Sequence, residues 1–336
     1  MKALVVGGSG YTGGELLRLL LNHPKVSEVG ATSRKHSGRY VWEVHQNLRG
    51  AYDGKFSEYK EGKVDADVVF LALPHGQSME HAPRLVEKGV KVVDLSADYR
   101  IGDVELFEKS YVKHKSPELL ERAVYGLPEL FRDDIRKADL VANPGCYPTA
   151  AILSIAPLQK FKDSMDLRVI VDSKSGTSGA GATPTESLHH CEVAGNLKPY
   201  KVTGHRHQPE MEHILRRMMP GLSVSFTPTL MPVVRGILSN THVFCDFDVV
   251  DLAEHFGDFY KGERFIRIVE TATTKNVLCS NYCDISVHYD NEKDRGLFIS
   301  AIDNLVKGAA GQAVQNMNLV MGYQEDEGLA ELPYHP

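Results

Sequence analysis

Ala3-Leu4-Val5-Val6-Gly7-Gly8-Ser9-Gly10-Tyr11-Thr12-Gly13, continuing into Glu15-Leu16-Leu17-Arg18-Leu19-Leu20-Leu21, is the stretch on which the fold turns. Four apolar residues predict a short buried strand. The glycines at 8, 10 and 13 predict a tight turn, and the leucine-rich run a helix that Pro24 stops. Strand, Gly-x-Gly-x-x-Gly, helix is the context a dinucleotide-binding fingerprint needs. The glycines let the backbone approach a pyrophosphate, whose charge then sits at the helix N-terminus. An NAD-preferring site would carry an acid about twenty residues further on, for the ribose 2′-hydroxyl. This chain has Ser33-Arg34-Lys35 there. A hydroxyl and a guanidinium suit a 2′-phosphate, which predicts NADP as the cofactor.

Outward from this unit, the apolar runs near Val26–Thr32 and at Val68–Leu73, Val90–Leu95 and Leu140–Ala142 read as further strands. Ser78–Lys88 reads as a helix ended by Gly89. Strands alternating with helices imply a parallel sheet covered on both faces. From about Leu167 the pattern changes. Arg168–Ser173, Leu222–Leu230, Ile237–Asp248 and Tyr282–Tyr289 are longer and alternate in polarity, as in a largely antiparallel sheet. Asp303–Met321 is again helical in pattern, able to pack back on the first domain. The expected class is α/β, with a Rossmann-like NADP-binding domain over 1–145 plus 303–336. An α+β catalytic and oligomerisation domain is expected over 146–302, its long strands offering a homodimer or homotetramer interface.

The bulk properties exclude several functions. At 336 residues the chain is long enough for two domains. A hydrophobic share of 42% and a charged share of 24% are ordinary for a soluble globular protein. A net charge of −6 without clustered Lys and Arg argues against a nucleic-acid partner. The longest apolar runs are strand-sized, too short to span a bilayer. Met1-Lys2 leads straight into the first strand, with no secretory pattern. Five cysteines, an odd number without framework spacing, predict reduced thiols and a cytoplasmic location.

Cys146 stands apart from the other four. It lies in Asn143-Pro144-Gly145-Cys146-Tyr147-Pro148-Thr149, after a strand and a Pro-Gly turn and before the apolar, helix-like Thr149–Leu158. A helix N-terminus favours the thiolate, so this is a nucleophile candidate. Free cysteines are more often small buried hydrophobes, and Cys191, Cys245, Cys279 and Cys283 are read that way. A thiol that forms an acyl intermediate needs an acid/base. Gly204-His205-Arg206-His207-Gln208-Pro209-Glu210 supplies two histidines and a carboxylate able to move and orient protons. His189-His190-Cys191 with His205 and His207 lacks any paired metal-ligand spacing, so no metal is expected. Ser173–Gly181, rich in hydroxyls and glycine, reads as an oxyanion cradle or else as a flexible hairpin loop. It lacks the lysine spacing of a P-loop, so ATP is not its ligand.

Taken together, these motifs resemble the N-acetyl-γ-glutamyl-phosphate reductases of arginine biosynthesis, a family akin to aspartate-semialdehyde dehydrogenase. The resemblance spans essentially the whole chain. It includes Gly7–Gly13, Leu73-Pro74-His75-Gly76, Asp94-Leu95-Ser96-Ala97-Asp98-Tyr99-Arg100 and Tyr125-Gly126-Leu127-Pro128-Glu129. It continues through Asn143–Pro148, Ser173–Gly181, His205–Glu210, Pro232–Gly236 and Gly308–Asn318. It implies an NADPH-dependent acyl-phosphate reductase in which Cys146 attacks the acyl phosphate, with His205 as acid/base and Glu210 as its support. It implies cofactor contacts from Gly8, Ser9, Gly10, Tyr11, Thr12, Gly13, Ser33, Arg34, Pro74, Ser175, Gly176, Gln312 and Asn316. Substrate contacts are implied for Arg100, Asn143, Ser178, Gly179, His207 and Arg235, the two arginines as carboxylate or phosphate clamps. A close branch reduces an aminoadipyl phosphate held on a small acidic carrier protein. His45–Gly50 resembles that branch as well as the arginine one, and Tyr147-Pro148-Thr149 leans toward the arginine enzymes. One methylene is worth only about 1–3 kcal/mol of discrimination, so both substrates stay open at this point. A redox-free thiol hydrolase leaves the glycine turn and Ser33-Arg34-Lys35 unexplained, and a nucleotide sensor leaves Cys146 and His205 unexplained.

Overall fold

The computed structural model describes residues 1–245, 247 and 251–334. Contacts divide them into two compact units: Met1–Pro144 with Ala309–Glu331, and Gly145–Gly308 with the last residues from Leu332.

The first unit is built on six strands, β1 (Lys2–Val6), β2 (Glu28–Thr32), β3 (Val68–Leu71), β4 (Lys91–Asp94), β5 (Val124–Tyr125) and β6 (Leu140–Ala142). They lie in the order β2-β1-β3-β4-β6-β5, every pairing parallel. The chain leaves β1 first to one side and then to the other, which makes the carboxyl ends of β1 and β3 the topological switch point. All four residues of β3 are buried, as a central strand covered on both faces requires. The glycine turn leads into helix Tyr11–Leu21, which begins four residues before the first leucine-rich turn predicted it. Helix Gly311–Val320, buried at every position, packs against Tyr11–Leu21 and Pro128–Ile135. It is preceded by a π-helical turn, Val306–Ala310.

The second unit holds β7 (Arg168–Ser175), β8 (Lys198–Pro199), β9 (Ser223–Leu230), β10 (Ile237–Phe244), β11 (Ile266–Ile268), β12 (Cys283–Asp290) and β13 (Arg295–Ile302). Among the described residues their order is β11-β12-β13-β10-β7-β9-β8, with four antiparallel pairings. The β7–β9 and β11–β12 pairings are parallel, so the sheet is mixed although largely antiparallel. The strand expected over Ile237–Asp248 ends at Phe244, and Asp248 lies outside the described residues.

Helix Cys146–Ile155 covers one face of this sheet, packing on β10, β13 and helix His207–Leu215. It begins three residues before the apolar run because Pro148 falls in its first turn, where a missing N–H leaves no bond unmade. Ile152, Leu153 and Ile155 are fully buried, each stabilising the unit by about 1.5–3 kcal/mol. Residues 303–308, expected with the first domain, belong to the second unit. Their side chains bond its loops: Asn304 Oδ1 accepts the Gly236 N–H at 2.8 Å, and Asp303 Oδ2 the Cys279 N–H at 2.8 Å. No helix among the described residues is long and apolar enough to cross a membrane.

Candidate active site

Cys146 is the first residue of its helix, and Gly145 at the N-cap offers no side chain to the first-turn N–H groups. From Tyr147 to Ile155 every residue is buried, whereas Cys146 is partly exposed. A thiol at an uncapped helix N-terminus sees the positive end of the dipole, which favours the thiolate. Glu210, fully buried, accepts the Gly145 N–H at 2.8 Å. Its carboxylate holds the turn that presents the thiol, one residue from Cys146. Of the other cysteines, Cys245 and Cys283 are buried as expected, but Cys191 is exposed and Cys279 partly exposed.

His205 belongs to a ring cluster that sequence reading only half anticipated. Its ring lies 5.7 Å from Tyr147, 5.6 Å from Tyr200, 4.8 Å from His207 and 5.2 Å from Phe226, centroid to centroid. Tyr147 directly follows the thiol, so this packing brings the histidine pair to the Cys146 end of the helix. The Tyr147 and Tyr200 hydroxyls share a 3.0 Å hydrogen bond. Phe226 is one of the inward residues of β9 and was legible only as core; Tyr200 carried no motif of its own. Burial, with help from the Arg206 and Lys201 charges, pushes the His205 imidazole down to about 4. Its Nδ1 accepts the His207 N–H at 3.2 Å, so we assign the neutral ring's proton to Nε2. His207 opens helix His207–Leu215 and is nearly as buried as His205.

Ser175–Gly179 is not a flexible hairpin tip. Gly176 N donates to Gly236 O (2.9 Å), Thr177 N to Val233 O (2.9 Å) and Ser178 N to Val234 O (3.0 Å), zipping this loop to the one carrying Arg235. Arg235, about a quarter exposed, pairs with buried Asp303 at 3.3 Å. Gly179 is exposed, and a Cβ on it would lie 3.3 Å from Ser175 Oγ.

Two expected substrate residues have other partners. The Arg100 guanidinium, 5% exposed, donates to Asn143 O and to Leu95 O, both at 2.7 Å. It braces two loop carbonyls. Asn143 donates to Ala309 O (3.1 Å) and accepts from Asn316 Nδ2 (2.9 Å). The rest of the Asp94–Arg100 motif is a frame as well. Asp98 accepts the Gly76 and Met79 N–H groups at 2.7 and 3.1 Å, fixing Pro74–Gly76 and the start of helix Ser78–Glu87. Burial, then the neighbouring Asp98 charge, raises the Asp94 carboxyl to about 7.

In the first unit, Gly10 caps helix Tyr11–Leu21 without a side-chain bond, leaving first-turn N–H groups at Tyr11, Thr12 and Gly13 for an anion. A Cβ on Gly13 would lie 2.7 Å from the Gly8 backbone, so only glycine closes this turn. Ser33 and Ser9 hydroxyls meet at 3.0 Å, joining the turn to the end of β2, with Arg34 exposed next to them. Pro74 is exposed at the end of β3. Gln312 Nε2 and Asn316 Nδ2 both donate to Gly126 O, at 3.1 and 2.9 Å. That leaves Gln312 Oε1 and Asn316 Oδ1 buried without a hydrogen-bond partner among the described residues. Buried acceptors are rarely left so, and two together fit a ligand that brings donors, such as a nicotinamide carboxamide. These residues therefore fit a nicotinamide dinucleotide. Gly126 was missed as a site residue; a Cβ there would fall 2.3 Å from Asn316 Nδ2. Among the described residues no group of three or more His, Cys, Asp or Glu side chains is placed to hold a metal ion.

Residues 2–138 match the family profile described as the semialdehyde dehydrogenase NAD binding domain, and 146–304 match the semialdehyde dehydrogenase dimerisation domain. The N-acetyl-gamma-glutamyl-phosphate reductase of Methanothrix thermoacetophila is 50% identical over 97% of this chain and 96% of its own length. That of Methanopyrus kandleri is 51% identical over 99% and 98%. The chain belongs to the N-acetyl-gamma-glutamyl-phosphate reductase family. Solved aspartate semialdehyde dehydrogenases share the fold of this chain. The Vibrio cholerae enzyme II superposes with a TM-score of 0.73 at 18% identity, covering 96% of this chain and 98% of that one. The Candida albicans enzyme, solved with NADP, gives 0.68 at 15% identity over 95% and 98%.

Proposed function

We propose that this chain reduces N-acetylglutamyl 5-phosphate to N-acetylglutamate 5-semialdehyde with NADPH, in arginine biosynthesis, through a thioester on Cys146. The observation that carries this reading is the partly exposed Cys146 at the uncapped start of a buried helix, its turn held by Glu210. The names of relatives about 50% identical over nearly their whole length support the substrate.

The Cys146 thiolate attacks the acyl carbon, the bond from that carbon to the phosphate oxygen breaks, and phosphate leaves with the bonding pair. Splitting the displacement through a thioester replaces one hard step by easier ones. Gly8–Gly13, Ser33, Arg34, Pro74, Gln312 and Asn316 would hold NADPH, with Ser175 and Gly176 assigned as further contacts, and the bound cofactor would supply a hydride to the thioester carbon. His205 enters as a neutral imidazole with a proton on Nε2, the donor half of its acid/base role, and stabilises the developing alkoxide on the acyl oxygen. That alkoxide re-forms its carbonyl, the carbon–sulfur bond breaks, and the thiolate returns. Arg235, Ser178, Gly179 and His207 hold the substrate, while Arg100 and Asn143 keep the loop before Cys146 in shape. We read the two units as the NADP-binding and catalytic domains of a cytoplasmic homodimer or homotetramer joined through the second-unit sheet. The family description of a dimerisation domain over 146–304 supports that assembly.

The test is the reverse reaction, NADPH formation from NADP⁺, inorganic phosphate and semialdehyde. N-acetylglutamate semialdehyde should be oxidised only with phosphate present. Preference for a carrier-bound aminoadipate semialdehyde would move the enzyme to the lysine branch, and oxidation without phosphate would refute an acyl-phosphate product.

A further inference from the structure

Asp303 and Asn304, adjacent at the end of β13, bond four separate parts of the second unit. Asn304 Nδ2 donates to Ser178 Oγ at 2.9 Å, and Asn304 Oδ1 accepts from Gly236 N at 2.8 Å. Asp303 accepts from Arg235 at 3.3 Å and from Cys279 N, and its other oxygen takes the Leu305 and Val306 N–H groups at 2.8 and 3.2 Å. Both side chains are at most 2% exposed. The turn that follows carries Gly308, where a Cβ would lie 2.8 Å from Cys146 Cβ. One dipeptide thus fixes the Ser178 loop, the Arg235 guanidinium and the turn that backs the thiol.

The direction of the Asn304–Ser178 bond has a chemical consequence. An amide nitrogen can only donate, so the Ser178 oxygen is the acceptor and its own proton points elsewhere. None of the described residues takes that proton. A hydroxyl held in this sense is a donor, and so is the arginine that Asp303 holds beside it; both suit a phosphoryl oxygen.

We propose that Asn304 is a positioning residue that fixes the polarity of Ser178, making it a hydrogen-bond donor to the phosphoryl oxygens, while Asp303 aims Arg235 at the same group. The inference deepens the acyl-phosphate reading above and rests on it. Asn304→Asp is the informative change. A carboxylate at 304 still accepts from Gly236 N but also draws the Ser178 proton to itself, turning the hydroxyl away from substrate.

In the phosphate-dependent reverse reaction, Asn304→Asp and Ser178→Ala should each raise the KM for inorganic phosphate about tenfold or more, as expected for a lost hydrogen bond to a charged group. The NADP⁺ dissociation constant should stay within about threefold. The double variant should be no worse than Ser178→Ala alone, since both act through one hydroxyl. A phosphate KM unchanged in Ser178→Ala overturns the proposal, as do multiplying effects or equal losses in NADP⁺ binding, the mark of a merely structural role. If Asn304→Asp fails to fold, Ser178→Ala, which leaves the buried dipeptide intact, decides. A wild-type enzyme without phosphate-dependent activity would instead refute the acyl-phosphate reading itself.

Discussion

Glu210 and Gly145 lie 65 positions apart in sequence, yet the Glu210 carboxylate accepts the Gly145 N–H at 2.8 Å in a fully buried setting. The bond ties helix His207–Leu215 to the turn that presents Cys146, so the thiol is aimed by a residue outside its own loop. Glu210→Gln keeps an acceptor and should keep both fold and thiol reactivity. Glu210→Ala leaves a buried N–H unpaired and should lower stability by about 1–3 kcal/mol. Thermal unfolding and the rate of Cys146 alkylation by iodoacetamide check both halves; equal alkylation rates in the two variants would argue against the turn-holding role.

His205 carries a pH signature. An unfolded imidazole binds its proton near the usual 6.5, whereas the folded ring is held down to about 4, chiefly by burial. Between those values the unfolded chain binds the extra proton, so this contribution to stability is present above pH 6.5 and is lost as pH falls toward 4. Melting temperatures of wild type and His205→Gln over that window should converge at neither end but differ in slope, the variant being flatter. In catalysis, the neutral ring persists through the physiological range, so kcat/KM should show no acid limb near 6.5 from His205. His205→Ala should lose roughly 10²–10³-fold in kcat and His205→Gln, which retains an N–H donor, markedly less.

Gly126 should be intolerant of any side chain because its carbonyl gathers Gln312 and Asn316 while a Cβ would strike the Asn316 amide. Gly126→Ala should weaken NADP⁺ binding by about tenfold or more, with Cys146 alkylation unchanged. Titration calorimetry checks the first expectation and mass-resolved labelling the second.

Arg34, exposed beside the Ser33–Ser9 hydroxyl pair, is the residue on which NADP preference should depend. Arg34→Ala should cost NADP⁺ about ten- to a hundredfold in affinity and leave NAD⁺ unaffected, since only the former carries the 2′-phosphate. Equal effects on both cofactors would assign Arg34 a structural role.

Much of this was legible in the sequence where one element carries its own signal. The glycine turn, β1 and β6 and the Cys146 helix were readable because apolar runs, glycines and prolines act locally. β13 went unseen, although it pairs antiparallel with both β10 and β12 at the centre of the sheet. Its Arg295–Ile302 stretch reads in isolation as a tail to the preceding turn. The backbone and amide partners of Arg100, Asn143 and Glu210 were not legible for one shared reason. A polar residue in a motif can serve substrate or backbone, and the choice is made by carbonyls and N–H groups that long-range packing delivers. Tyr200, Phe226, Gly126, Asp303 and Asn304 escaped because each acts on a neighbour distant in sequence. Only their types, aromatics, a glycine and an Asp-Asn pair before a helix, were visible beforehand.

The central claim is the covalent one, and intact-protein mass spectrometry tests it most directly. Enzyme mixed with N-acetylglutamyl 5-phosphate in the absence of NADPH should gain one acyl group per chain on the peptide containing Cys146, releasing one equivalent of phosphate. Cys146→Ala should gain none while still binding NADP⁺. Acylation of another residue, or phosphate release without any adduct in wild type and Cys146→Ala alike, would contradict it.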